Sequence, residues 1–222
     1  MVIVKEHHVV STKPTPRIDS RLAKPVLAAV RCGVLILTVG SSSNFAEVPS
    51  PLNSDQITAR FGSYGVEVLQ QSPTTRLANL YSEHASGRVC RTLALTQFVT
   101  AIPEALTEPD QRIRLGASIG ATLRQAGWAV TKRHSVSVTT EAGLRFAQLA
   151  QKTVDPKEII EVRVYTLGVQ RDTLAFDYAI IAEAYHPEHV APSLESSNVS
   201  ALGSQLDDEQ RQAVTALLDA LR

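Results

Sequence analysis

The sequence predicts an α+β domain: an antiparallel or mixed β-sheet of about six strands with two helices packed on one face, plus a C-terminal amphipathic helix. Turn signals cut the chain between Gly62 and Asp172 into short extended runs. One of those runs alternates polar and apolar residues over a full strand length. Two helical segments between the runs end at Gly127 and before Asp155-Pro156. The order β-β-β-α-β-α-β-β lacks the regular βαβ alternation that a parallel sheet requires.

The elements follow in chain order. A short helical turn is expected over 55–61, and Gly62 and Gly65 mark the break after it. Strands are expected over 66–70, 77–81 and 88–99, with Gln71-Ser72-Pro73-Thr74 and His84-Ala85-Ser86-Gly87 as the turns of a meander. Thr107-Glu108-Pro109-Asp110 then starts a helix expected to run to Ala126, with Pro in its first turn and acids at its positive end. Small residues four apart, Gly116 with Gly120 and Ala117 with Ala121, predict close packing of that helix on the sheet. The alternating strand is 128–139. A helix over 142–152 and strands over 158–167 and 173–185 complete the domain, the last two forming a hairpin around residues 168–172. Beyond Pro192 the chain is Ser-rich until 207–222, where Val214, Leu217, Leu218 and Leu221 form one helical stripe behind an Asp207/Gln210 cap pair. Such a helix docks either on its own domain or on a partner.

Composition bounds the function. The 222 residues hold 22 Lys+Arg and 22 Asp+Glu, so the basic excess expected of a nucleic-acid binder is missing. Six of the basic residues and only two of the acidic ones precede Glu47. Residues 1–46 therefore read as a basic leader, 55–190 as a single domain, and 191–222 as a linker with its terminal helix, the chain after the leader being mildly acidic as a whole. Within the leader, a polar stretch punctuated by Pro14 and Pro16 precedes the apolar block Cys32-Gly33-Val34-Leu35-Ile36-Leu37-Thr38-Val39. That block is too short for a stable transmembrane span, which needs about twenty apolar residues, and matches a signal-peptide core followed by cleavage after Ala46. Arg31, Asn44 and the long basic stretch depart from the usual signal pattern; a translation start near Val26 or Val30 would shorten that stretch. The expected location is periplasmic or secreted, in a diderm bacterium. The alternative is cytoplasmic, with 32–39 as an ordinary buried strand. Of the two cysteines, Cys32 lies in the leader and Cys90 in a strand, so no disulfide framework is expected and Cys90 reads as a small buried hydrophobe.

Several groupings carry possible chemistry. Gly116-Ala117-Ser118-Ile119-Gly120 matches G-x-S-x-G, and Asp155, Asp172 or Asp177 followed by His186 reproduces a hydrolase order of Ser, acid and His. The charged, helix-like 108–115 contradicts the strand that a nucleophile elbow needs. His186-Pro187-Glu188-His189 brings two imidazoles together but lacks any metal-site spacing, so no metal and no cofactor is expected. Alternation puts Lys132 and His134 on the face of Trp128, Val130, Val136 and Val138, and puts Arg91 with Val89, Leu93 and Leu95. Polar groups on a core face need partners. Arg91, His134, Glu183 and His186 are accordingly the candidate ligand-binding residues, suited to a small anionic ligand. The expected function is a non-catalytic binding or interaction domain, with a small ligand or a protein as partner. The alternative is a small lyase- or hydrolase-type enzyme using His134 with a carboxylate as acid and base.

Overall fold

The structure, a computed structural model, describes residues 51–193, 197–198 and 206–222. The expected leader, residues 1–46, lies outside the described residues. Helix α1 (Asn53–Phe61) leads into β1 (Gly65–Gln71), β2 (Thr75–His84) and β3 (Gly87–Phe98). Helices α2 (Thr107–Arg114) and α3 (Ile119–Gln125) follow, then β4 (Ala129–Glu141), α4 (Gly143–Leu149), β5 (Ile159–Arg171) and β6 (Leu174–Tyr185). A two-residue strand β7 (Ser197–Asn198) and helix α5 (Asp208–Leu221) complete the described chain. The sheet order is β1-β2-β3-β6-β5-β4-β7, with every neighbour antiparallel except the β4–β7 pair. The α+β class and the sheet read from the sequence are those observed.

Both faces of the sheet are covered. On one, α4 (Phe146) and α5 (Val214, Leu217, Leu221) pack against Leu93 and Leu95 of β3, Ile160, Val162 and Val164 of β5, and Ala182 and Ala184 of β6. On the other, Ile113 of α2, Leu123 of α3 and Trp128 pack against Tyr165, Leu167 and Val169 of β5 and Ile181 of β6. Ile57 of α1 packs beside them on Ala78, Leu80 and Ala94. The two central strands thus send successive residues into opposite apolar layers, as a strand buried on both sides must. This corrects the expectation that both internal helices lie on one face: α4 belongs to one layer, α2 and α3 to the other.

The long helix expected over 107–126 is two helices. Gly116 takes φ +105°, a left-handed conformation that ends α2 and is open to glycine at no steric cost. The small-residue stripe therefore does not seat one helix on the sheet. Gly120 instead accommodates the Leu52 side chain, which would lie 2.7 Å from an added Cβ. The hairpin turn is also displaced, because β5 runs on through Gly168 to Arg171 and the reversal falls at Asp172-Thr173, with Asp172 at φ 54°.

Two bulges decide which way the site residues point. In β3 the register with β2 slips between Leu80 and Tyr81, leaving Arg91 as the extra residue. Arg91 and Thr92 consequently both address α1, away from the face of Leu93 and Leu95 that strict alternation assigned to Arg91. In β4 the register with β5 slips between Arg133 and Val136, with His134 at φ 50°. Val130 therefore joins the layer under α2 and α3 while Val138 joins the one under α4 and α5. The single face expected for Trp128, Val130, Lys132, His134, Val136 and Val138 is in fact two.

The terminal helix docks on its own domain. The Asp207 carboxylate accepts the Gln210 backbone N–H at 2.7 Å, as the cap pattern predicts. The Gln210 side chain does not close the capping box; its Nε2 donates to the His134 carbonyl at 3.0 Å, a carbonyl that the β4 bulge leaves for it.

Candidate functional site

A cavity of about 70 Å³ lies between the sheet and the α1 and α3 side of the molecule. That is room for a few waters or a small organic molecule, since one water needs on the order of 10–15 Å³ measured this way. Its walls are apolar: Val66 of β1, Ala78 and Leu80 of β2, Ala94 of β3, Leu167 of β5 and Ile181 of β6. Polar side chains also line it, and apart from Ser54 and Thr96 they fall into two groups.

The first group centres on Glu183, buried near the end of β6. Asn53, in the first turn of α1, donates to Oε1 at 3.0 Å, and Tyr185 and Tyr165 donate their hydroxyls to the carboxylate. Lys132 Nζ lies 3.5 Å from Oε2, its ammonium 4.3 Å from the centre of the Tyr165 ring. Burial alone would raise the Glu183 carboxyl, yet the Lys132 charge and the donors from Tyr185, Asn53 and Tyr165 together hold it below the ordinary carboxylate range. The two tyrosines shift the opposite way: burial and the adjacent Glu183 charge raise both hydroxyls well above their usual value. Glu183 is therefore a fixed anion with its lone pairs engaged, and neither its pKa nor its contacts suit proton transfer near neutral pH.

The second group is Arg76, Tyr64 and Ser118. Arg76 enters from β2 and is 3% exposed. Its Nη1 donates to the carbonyls of Ile113 at 3.1 Å and Ala117 at 2.8 Å around the end of α2, the Ile113 carbonyl also accepting the Gly116 N–H at 3.0 Å. Tyr64 and Ser118 share a hydroxyl–hydroxyl bond of 3.2 Å beside it, and burial raises the Tyr64 phenol. Ser118 precedes α3 in an irregular segment between two helices, not at the end of a strand, so the G-x-S-x-G letters here serve a helix break and a Leu52 contact.

The sequence-predicted residues distribute as follows. Glu183 lines the cavity. Arg91 lies behind α1, its guanidinium 3.8 Å from the centre of the Phe61 ring, with Nε donating to Ser82 at 2.8 Å and Nη1 paired with Glu188 at 2.7 Å. His186 has both ring nitrogens engaged: Nδ1 accepts the Glu188 backbone N–H at 3.1 Å, and Nε2 meets Thr153 Oγ1 at 2.9 Å. Thr153 gives its own proton to the Ala150 carbonyl, so His186 carries its hydrogen on Nε2. His134 is exposed on the β4 bulge, outside the cavity lining. No cluster of three or more metal-ligating side chains occurs among the described residues.

Sequence reasoning missed Asn53, Tyr64 and Arg76. Arg76 was within reach, because Arg76, Ala78 and Leu80 alternate onto one face, but a strand taken to begin at Leu77 leaves it in the turn. Asn53 gave no such signal. It also accepts from His189 Nε2 at 2.7 Å, a contact across 136 residues of chain.

Fold and site together define a compact α+β domain that encloses a small cavity with charged groups at its margins. No protein-family model matches the chain, and no curated protein matches it. Among solved structures it is similar to the crystal structure of the PhnF C-terminal domain, at 13% identity over 61% of this chain and 76% of that one, with a TM-score of 0.37. It is also similar to the C-terminal domain of Yurk from Bacillus subtilis subsp. subtilis str. 168, at 13% identity over 56% of this chain and 86% of that one, with a TM-score of 0.31. Likenesses this distant carry no argument about activity or ligand.

Proposed function

We propose that this is a non-catalytic binding domain, exported to the periplasm, whose small ligand occupies the cavity between the sheet and helices α1 and α3. The observation that carries the reading is the pairing of apolar walls with buried charged groups, Glu183 and Arg76, at one partly open cavity. Binding is favoured over catalysis because the Glu183 carboxylate is held ionised by four donors, and because His134, the acid–base candidate, is exposed away from it. The apolar stripe of α5 lies against its own sheet, so the helix does not offer that stripe to a partner.

A thermal-shift screen of the full chain against a library of small metabolites tests the binding reading. A saturable rise in melting temperature that disappears when Ala78→Val narrows the cavity supports it; the absence of any such compound counts against it. Export rests on the basic leader and its apolar block. Mass spectrometry of the mature protein from fractionated cells tests it, an intact N-terminus in the cytoplasmic fraction being the contrary result.

A further inference from the structure

We propose that the cavity takes a short aliphatic monocarboxylic acid and that Arg76 grips its carboxylate; this rests on the cavity being a ligand site. Arg76 is a buried guanidinium with hydrogen bonds from only one of its three nitrogens. Nη1 is committed to the Ile113 and Ala117 carbonyls, whereas Nε is fully enclosed with no hydrogen-bond partner. No described carboxylate pairs with the guanidinium. A buried cation left in that state is costly, and burial weakens its hold on the proton.

In a planar guanidinium Nε and Nη2 share one edge, and with Nε fully enclosed and Nη1 committed, Nη2 is the donor left to meet a ligand. A guanidinium N–H gives a carboxylate oxygen a strong, charge-assisted hydrogen bond. The Tyr64 and Ser118 hydroxyls line the same cavity and offer further polar contact to an anion.

Charge and volume narrow the class. Lys132 is neutralised by Glu183, so Arg76 leaves the cavity one positive charge in excess, suited to a single negative charge rather than a phosphate dianion. Most of the remaining wall, Val66, Ala78, Leu80, Ala94, Leu167 and Ile181, is hydrocarbon, interrupted by the hydroxyls of Ser54 and Thr96, and this calls for a largely aliphatic body. The small free volume keeps that body short.

The test is calorimetric titration of the full chain with butyrate, butyramide, butylamine and inorganic phosphate. Butyrate is expected to bind saturably, with butyramide weaker by about tenfold or more because it cannot satisfy the charge. Arg76→Met removes the grip and should abolish butyrate binding. Because that variant also loses the Ile113 and Ala117 contacts, Ala94→Val provides a second arm: it keeps Arg76 and narrows the cavity, and should lose butyrate binding while remaining folded. A downfield shift of the Arg76 Nη2–H resonance on adding butyrate to the wild-type chain would report the contact directly. Butyramide or phosphate binding as tightly as butyrate, with Ala94→Val blocking it, overturns the carboxylate assignment while leaving the cavity a ligand site. If no compound in this set or in the metabolite screen binds in a way that Ala94→Val or Ala78→Val affects, both the assignment and the binding reading fail.

Discussion

The Asn53 amide donates to the Glu183 carboxylate at 3.0 Å, tying the first turn of α1 to strand β6 across 130 residues of chain. The same side chain donates to Thr92 on β3 at 3.1 Å and accepts from His189. Replacing Asn53 with Ala removes one of the four donors of a buried carboxylate and the acceptor of a buried imidazole at once, and leaving a buried polar group unsatisfied costs about 1–3 kcal/mol. Asn53→Ala is expected to lower the urea midpoint and speed hydrogen exchange throughout α1. Unchanged exchange in α1 would mean that the helix is held by Ile57 alone.

His186 and His189 predict a one-sided pH profile. Burial lowers both imidazoles to about 4, with the Arg91 charge adding to the effect on His186 and Glu183 partly opposing it on His189. Above the ordinary value of 6.5 neither state is protonated and the full stability is present. Between there and about 4 the unfolded chain takes up protons that the folded one refuses, so stability falls as pH falls, by roughly 1.4 kcal/mol per pH unit for each histidine. The depressed Glu183 carboxyl acts in the same direction at lower pH, below the ordinary carboxylate value. Urea unfolding at pH 7.5, 6.0 and 5.0 measures the slope, and His186→Asn should reduce it; a flat profile over that range contradicts the burial of neutral imidazoles.

Gly143, at the start of α4, has φ +76°, and a Cβ built on it would stand 2.3 Å from the Leu221 carbonyl oxygen. Backbone has little freedom to yield, so Gly143→Ala combines left-handed strain with a collision against the end of α5. Gly62 has a similar φ of +79° with nothing within 4 Å. Its alanine variant should cost only about 1 kcal/mol, and Gly143→Ala clearly more. Parallel thermal melts of the two variants separate conformational strain from contact.

Leu217 is fully buried in the layer shared by α4, α5 and the sheet. Leu217→Ala is expected to destabilise the whole domain by about 2–5 kcal/mol. A local loss of α5 with an otherwise unchanged midpoint would instead make the helix an independent appendage.

Most of the scaffold was legible in the chain because its signals are local. Turn residues at 71–74 and 84–87 delimit strands, Gly127 ends a helix, and Asp207 caps one. The site was less legible, because its geometry depends on irregularities that periodicity cannot see. Strict alternation misassigned Arg91 and joined Lys132 to Val136 and Val138 of the opposite face, since each strand carries a bulge beside the residue in question. Lys132 and Glu183 are both recognisable as misplaced charges in apolar runs, but their pairing requires knowing that β5 lies between β4 and β6. Asn53 sits at the edge of a polar link, where an amide looks like solvent-facing surface.

The slip at His134 and Ser135 gives β4 a divided allegiance. Its first half, with Lys132, serves the cavity, and its second half, with Val138, serves the layer beneath α5. Sequence drift in the first half can therefore retune what the domain accepts without disturbing the second. Deleting a single residue at the slip would restore alternation while leaving both halves paired and facing as they are, because β4 spends three residues there where β5 spends two. A one-residue deletion should therefore be tolerated better at this point than elsewhere in β4, where it would reverse every side chain beyond it.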